Sequence, residues 1–415
     1  MEMGTEPPTA RRHTTGQPPS TVVFVANARP PTEKAHGHAI VKLCEAFARL
    51  GAEVELWHPR RHQFDPRLRG CSVFDFYGVE PCFAVRTLPN IDVVRLDPWL
   101  PERLFRPLFV AHEAAWGAYV ARLAAHRRAD LHVTRDILCA WWLARAGLPT
   151  VLDVHETPKG PRVQVLARLI RLRGLRGIVA VTAGNRDRLI SIGIDPALVR
   201  VAGNGVDPQA YRGLPNRDAC RTRLQLPVDR PIVGYVGRFQ TLGQEKGIPQ
   251  LIRAIAVLKP RMGSAPLLLC VGGPMDRVPG YLALARSVGL DEADVRFVDH
   301  VPAREVPSWI ASLDVGTAVF ERSDSSERFI SPLKLFEYMA AGIPVVASDL
   351  PTVREALGLY PAALLVPPDD IAALAAALEA ALAHPRLREP WPHVPTWEDR
   401  ARAFLAVGLR AVQTR

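Results

Sequence analysis

Residues 330–348 read "ISPLKLFEYMAAGIPVVAS", and a carboxylate, Glu337, stands in the helical half of that stretch. Ser331 suits an N-cap, Pro332 the first helical position, and Gly342 with Pro344 a stop, which predicts a helix over 332–341 followed by a buried strand. At about 100° per residue, Leu333, Leu335, Phe336, Met339 and Ala340 share one apolar arc, with Glu337 at its edge and Lys334 just beyond. Two chemistries fit this placement. One is an ion pair between Lys334 and Glu337, in the less favourable order and contributing a few tenths of a kcal/mol. The other is ligand recognition: free N–H groups at the helix start hold a phosphate near Ser331, and Glu337, about two turns in, accepts hydrogen bonds from a sugar diol. A nucleoside diphosphate carries both groups.

Such a site needs strands that feed helices. "TVVFVANA" from residue 21 suits a buried strand, and "HGHAIVKLCEAFARLG" then spaces Ile40, Leu43, Cys44, Phe47 and Leu50 at helical intervals before Gly51. "AEVELWHP", "DLHVTRD", "PTVLDVHE" and "GIVAVTAG" read as further strands with helical stretches between them, the rhythm of a parallel sheet. The rhythm restarts after a segment rich in Pro, Arg and Asp at 206–230, with "PIVGYVGRF", "PLLLCVGG", "VRFVDH", "DVGTAVF" and "IPVVAS" as strands and "IPQLIRAIAVLK" and "VPSWIASL" as helices. Two doubly wound α/β domains in tandem are expected, and such sheets bind ligands at the carboxyl ends of their strands. His155 and Glu156 close "TVLDVHE" at that end. No GxGxxG follows the first strand and no GxxxxGK[ST] occurs, which disfavours a dinucleotide dehydrogenase and a P-loop NTPase. No Asp-x-Asp stands after a strand, and "PPDD" at 367–370 falls in a loop before an Ala-rich helix, so no required metal is expected.

Composition sets the frame. The 415 residues, 48% of them hydrophobic, exceed one core and fit two domains of ordinary size. Six cysteines without a CxxC pair suggest neither a zinc site nor a disulfide framework and point to a reducing cytoplasm. Residues 1–20 carry Pro, Thr and charge without an apolar stretch, which reads as a disordered tail, and no run of about 18 apolar residues marks a membrane span. Through residue 200, 28 Lys and Arg stand against 19 Asp and Glu; beyond it the balance is 24 against 23. The net +10 therefore belongs to the first half, which invites an acidic partner there; nucleic acid is not an expected one.

"SPLKLFEYMAAGIPVVASDLPTVRE" closely resembles the donor-binding segment of the retaining glycosyltransferases of family four, whose GT-B fold is two Rossmann-like, doubly wound parallel-sheet domains facing across a cleft. Other pieces match in order. "KAHGHAIVKLCEAFARLGAEVELWHP" is similar to the family's first loop and helix, "TRDILCAWWLARAGLPTVLDVHE" to its acceptor-side segment, "NGVD" to its interdomain crossing, and "VGRFQTLGQEKGIPQLIRAI" to its GR…KG phosphate motif. The likeness covers roughly residues 21–415. It implies an acceptor-side domain at 21–210, a nucleotide-sugar-binding domain at 211–386, and a segment at 387–415 whose "PTWEDRARAFLAV" resembles the family's final helix, crossing back to the first domain.

The resemblance implies a metal-independent, hexosyltransferase-type enzyme of glycan biosynthesis that moves a sugar, with retention, from a nucleoside diphosphate sugar to an acceptor hydroxyl. The nucleotide sugar is a co-substrate, and no cofactor is implied. Glu337 would bind the donor's ribose hydroxyls, and Arg238 and Lys246 would hold the diphosphate and neutralise charge on the departing nucleotide. Read alone, an Arg eight residues before a Lys is also an ordinary solvated pair, although the strand "IVGYVG" before Arg238 and Gly247 beside Lys246 favour phosphate. Lys334 joins the donor-binding set. His155 would touch the sugar or acceptor, against the plainer reading of a structural histidine at a strand end. Gly37 resembles a glycine at which backbone approaches diphosphate and acceptor, and His36, His38, Glu156 and Arg135 are acceptor-side candidates. Many members carry Glu-x7-Glu, but Phe329 occupies the first position here, so the carboxylate that contacts the donor sugar is missing. Backbone amides from Ser331 to Leu333 are the expected substitute; Glu327, in an "ERSDSSER" loop expected to be flexible, stands two residues earlier. Base choice falls to backbone groups near "DHVP" at 299–302, Val301 among them.

Two other functions stay open: a nucleotide-sugar epimerase of the same fold, and a noncatalytic sugar-nucleotide-binding protein, which the missing first glutamate keeps in play. The acceptor class is also open among a glycan, a lipid-linked molecule and a small molecule. Between Thr157 and Asn185 lie Lys159, Arg162, Arg168, Arg171, Arg173 and Arg176 without an acidic residue, interleaved with Val, Leu and Ile. Wound as a helix, that segment offers either a solvated basic face over its own sheet or a peripheral contact with an anionic membrane on the cytoplasmic side.

Overall fold

The structure, a computed structural model, describes residues 20–241, 244–387 and 391–409. The chain divides into two compact units. The first takes the chain up to Ala180, Arg188–Ala202 and the chain from Trp397 on; the second takes Val181–Asp187 and Gly203–Thr396.

The first unit is built on seven parallel strands: β1 (Thr21–Val25), β2 (Glu53–Pro59), β3 (Ala84–Leu88), β4 (Leu131–Thr134), β5 (Thr150–Val154), β6 (Leu175–Ala180) and β7 (Val199–Val201). Their order is β3-β2-β1-β4-β5-β6-β7, so the winding reverses between β1 and β4 and opens a crevice at the carboxyl ends of those strands. Val22, Val23, Phe24 and Val25 are wholly buried, as a strand covered on both faces requires. The helix Trp397–Gly408 belongs to this unit: Phe404 meets Phe47 edge-on with ring centroids 6.0 Å apart, and a Cβ on Gly408 would come within 2.4 Å of the Leu131 side chain.

The second unit repeats the plan with β8 (Ile232–Val236), a short antiparallel pair β9 (Gln240–Thr241) and β10 (Gln244–Glu245), then β11 (Leu267–Val271), β12 (Val295–Val298), β13 (Val315–Ala318), β14 (Val345–Ser348) and β15 (Ala363–Val366). The six main strands run parallel in the order β12-β11-β8-β13-β14-β15, with the reversal between β8 and β13. Leu335, Phe336, Tyr338, Met339 and Ala340 anchor the helix Leu333–Ala340 in this core.

Three expectations give way. The helix carrying Glu337 starts one residue later than predicted: Pro332 is its N-cap, and Ser331 is drawn off into hydrogen bonds with Asn204. The "ERSDSSER" stretch is not a loose loop, because Asp324–Arg328 is a helical turn closed by a capping box between Ser323 and Ser326. The basic segment is not one helix either. Its helix, Pro161–Leu169, stops before Arg171, and Arg176 lies on β6 with a buried Nε. The β-branched, wholly apolar run at 178–181 prefers a central strand to a helical turn.

Candidate active site

Arg238 and Lys246 are set by the segment that leaves β8. Gly237 N donates to Val271 O at 2.8 Å and Phe239 N to Gly273 O at 2.7 Å, while β9 and β10 fold the chain back so that Lys246 N donates to Phe239 O at 3.1 Å. Eight residues of separation thus collapse to adjacent backbone positions. Gly247 then opens the helix Ile248–Met262 with φ +82°, and a Cβ there would lie 2.5 Å from Val319 O, so both conformation and space demand glycine.

Lys334 completes a cationic cluster. It is half-buried, and its Nζ sits 3.3 Å from the centroid of the Tyr235 ring. The ammonium thus makes a cation–π contact that the sequence reading did not foresee. A Cβ on Gly237 would come within 3.2 Å of Nζ, so the glycine leaves room for the ammonium. Burial and then the charge of Lys246 hold Lys334 well below the ordinary lysine range, while Glu337 acts in the opposite sense; burial also lowers Lys246.

The other donor-side residues fall out as follows. Glu337 is half-buried on the same helix as Lys334; Tyr211, pushed well up first by burial, feels Glu337 as the next influence. Ser331 Oγ accepts from Asn204 N and Ser331 O accepts from Asn204 Nδ2, each at 3.0 Å, so this serine fixes the 203–206 crossing. Leu333 is the first helical residue and half-buried. Val301 follows β12 and packs on the core. Phe329 is buried, and Glu327 accepts from Arg322 Nη1 at 2.6 Å.

In the first unit, His155 is part of a buried polar group. Its Nε2 lies 3.0 Å from Asp153 Oδ2, and Arg400 Nη2 donates to Asp153 Oδ1 at 2.6 Å while standing 3.2 Å from His155 Nε2. Burial works against ionising Asp153, but Arg400 and His155 outweigh it and hold the carboxyl well below its usual range. Asp153 only accepts and Arg400 only donates; the shorter contact, to Asp153, assigns the Nε2 proton to that bond and the acceptor role to Nδ1. Burial, and then Arg135, pull His155 down to about 4 despite Asp153. Arg135 also acts on His36, which burial first lowers to about 4, so Arg135 links His36 to the His155 group. His38, lowered by burial to about 3, packs edge-on between Tyr77 and Trp397 at 6.2 and 6.3 Å. Gly37 has a packing reason: a Cβ would meet the Tyr77 hydroxyl at 2.2 Å, where that hydroxyl accepts from Thr32 N and donates to Thr32 O. Glu156 is exposed and paired with Lys159 at 3.2 Å, apart from the buried group.

Sequence reasoning passed over Asp153 and Arg400, and took Asn204 only as part of "NGVD". Asp153 left a signal, an aspartate inside an otherwise apolar strand, which burial makes costly unless a cation is near. Arg400 left none, because 247 positions separate it from Asp153.

Residues 230–384 match the family described as Glycosyl transferases group 1, and residues 37–210 match Glycosyltransferase Family 4. A D-inositol 3-phosphate glycosyltransferase of Kineococcus radiotolerans is 33% identical over 94% of this chain and 93% of its own length. Another so named, from Streptosporangium roseum, is 30% identical over 63% of this chain; that match spans 60% of the relative, and several similar relatives are matched over half to under two thirds of their length. The fold matches the crystal structure of Anabaena Alr3699/HepE in complex with UDP and glucose, with a TM-score of 0.63 at 17% identity over 94% of this chain and 95% of that one. With both halves matched in order on a GT-B fold, the chain belongs to glycosyltransferase family 4, the glycosyl transferases of group 1.

Proposed function

We propose that this glycosyltransferase is a retaining hexosyltransferase of glycan biosynthesis that draws its sugar from a nucleoside diphosphate sugar and needs no metal ion. The observation that carries the reading is the pair of cations in the second unit: Lys334, with its Nζ against the Tyr235 ring beside Gly237, and Lys246, whose charge repels it. A diphosphate relieves that repulsion. As the glycosidic bond breaks, Arg238, Lys246 and Lys334 neutralise the charge gathering on the leaving diphosphate, and Glu337 holds the ribose diol. The departing phosphate takes the acceptor hydroxyl's proton on the same face of the sugar, which yields retention. With Phe329 buried and Glu327 engaged by Arg322, the donor sugar is left to the backbone N–H groups of Ser331 and Leu333, Pro332 between them having none. Val301 and its neighbours meet the base. His155, neutral at physiological pH, accepts a substrate hydroxyl through Nδ1, with His36, His38, Gly37, Arg135 and Glu156 serving the acceptor side.

We assign the protein to the cytoplasmic face of an anionic membrane, with a lipid-linked acceptor. Trp99 and Ile91 are 83% and 81% exposed, Leu104 is 55% exposed, and Arg168, Arg171 and Arg173 are exposed as well. Among the described residues no helix is long and apolar enough to cross a membrane.

A panel of nucleotide sugars, scored by mass spectrometry for transfer and by NMR for anomeric configuration, with and without excess EDTA, tests the chemistry. Transfer that survives EDTA and keeps the donor's configuration is the expected result. An inverted product, or a complete loss restored by magnesium, refutes the reading.

A further inference from the structure

The sheet of the second unit is interrupted where its winding reverses. β8 and β13 pair at Val233 with Val315 and at Gly234 with Gly316, where their direct pairing ends. In a parallel ladder the next rung would run from Val236 N to Thr317 O. A side chain takes its place: Val236 N donates to the Tyr338 hydroxyl at 3.0 Å, and that hydroxyl turns its own proton to Thr317 O at 3.4 Å. One oxygen thus stands between two backbone groups that would otherwise meet at about 2.9 Å. The carboxyl ends of β8 and β13 are held apart at the point where an open α/β sheet takes its ligand.

The surroundings are fitted to this insertion. Tyr338 is wholly buried, and β13 carries a glycine where the ring crosses it: a Cβ on Gly316 would lie 2.7 Å from the ring. Thr317 turns its side-chain hydroxyl to Gly234 O at 2.9 Å, beside the last regular rung. A phenylalanine would fill the same space, so packing alone does not call for the Tyr338 hydroxyl.

What the bridge touches is the donor side. On the helix Leu333–Ala340, Tyr338 follows Glu337 directly and lies one turn beyond Lys334. Val236 stands between Tyr235 and Gly237. The Tyr235 ring meets Lys334 Nζ and its hydroxyl donates to Arg238 O at 2.6 Å, while Gly237 leaves room for the ammonium. The helix cannot turn or slide over β8 without breaking the bond to Val236, so one hydroxyl sets Lys334 and Glu337 relative to the strand end that carries Arg238.

We propose that Tyr338 is a positioning residue for the donor: its hydroxyl, set into the ladder, holds the ends of β8 and β13 apart and fixes Lys334 and Glu337 against Arg238 without itself touching the nucleotide. The inference rests on the donor-site reading above. Calorimetric titration of the full chain with uridine, guanosine, adenosine and thymidine diphosphates, at a temperature where every variant is folded, tests it. Tyr338→Phe should bind the preferred diphosphate about tenfold or more weakly than the wild type, since a misplacement of about 1 Å can cost about 10²-fold in such sites. Met339→Ala empties core space on the same helix; it should lower the unfolding midpoint at least as much yet bind within about twofold of wild type. Gly316→Ala displaces the ring from the β13 side without altering a donor residue, should reproduce the weakening, and decides the matter if Tyr338→Phe does not fold. A Tyr338→Phe chain that binds the nucleotide as the wild type does overturns the proposal. So does a Met339→Ala chain that binds it equally weakly, which would make the loss one of stability alone. A wild type that binds none of the four diphosphates sinks the donor-site reading as well, whereas binding that Tyr338→Phe leaves unchanged sinks only the positioning role.

Discussion

Replacing Lys334 by methionine should separate stability from donor binding, because the two depend on its ammonium with opposite signs. In the unliganded protein the charge gains a contact with the Tyr235 ring, about 0.5–2 kcal/mol depending on exposure. Burial of the ammonium and repulsion by Lys246 oppose that gain. Methionine keeps the length and the ring contact through sulfur while removing both penalties. The midpoint of thermal unfolding should then stay within about 2–4 °C of wild type or rise, the span that about 1 kcal/mol covers in a domain of this size. Donor binding should weaken, since one charge-assisted hydrogen bond contributes about 1.5–3 kcal/mol, or about 10- to 150-fold in Kd. Calorimetric titration with nucleoside diphosphates and parallel melts supply both readouts. The pH dependence follows from the direction of the shift. A lysine lowered below 10.5 penalises folding while it stays protonated, and the penalty is relieved as pH rises through its folded value toward 10.5. The wild type should therefore gain stability relative to the methionine variant over that interval while losing donor affinity. A variant that melts well below wild type yet binds the nucleotide unchanged would show that Lys334 is a structural cation and would refute the donor-site argument.

Arg238→Ala, Lys246→Ala and Glu337→Ala should each lower transfer by about 10² or more in a folded protein, read as kcat/KM with circular dichroism as the control. Arg400→Leu leaves Asp153 buried and without its cation, which should cost about 3–5 kcal/mol in urea unfolding. The stability that Asp153 contributes is present above its unfolded value of 3.8 and disappears as pH falls through its lower folded value, so this variant should have the flatter acid limb. With His36 and His155 both at about 4, the pH–rate profile should show no histidine inflection near 6.5. Sedimentation with anionic liposomes should weaken as salt rises and should fall when Arg168 and Arg171 become Glu or Trp99 becomes Ser; a wild type that stays in the supernatant at low salt would favour a soluble acceptor.

Most of the framework was readable because buried parallel strands leave continuous apolar runs, such as "TVVFV" and "PLLLCV". β3 escaped notice because "AVRTL" is an edge strand with Arg86 and Thr87 exposed, and β7 and β15 because three or four residues carry too little pattern. The nearness of Arg238 to Lys246 could be anticipated, since both flank one strand-to-helix connection. The Tyr235 partner of Lys334 could not, because it depends on how the helix Leu333–Ala340 rotates over β8. The same limit applies to Tyr338, whose hydroxyl reaches Val236 and Thr317 only because the sheet order sets β13 beside β8.

The bond between Asp153 and Arg400 also sets an order on biosynthesis. β5 carries the aspartate, but its arginine and the Phe404 that faces Phe47 lie beyond the whole of the second unit. At about 5–20 residues per second, the roughly 195 residues from Ala202 to Trp397 keep the ribosome occupied for about 10–40 s. Through that interval the amino-terminal sheet waits with His155 and Arg135, but not Arg400, to compensate its carboxylate, and with a face uncovered. The second unit, nearly contiguous in the chain, can close first. The half of the molecule that is synthesised earlier is thus the half whose last packing element is synthesised later.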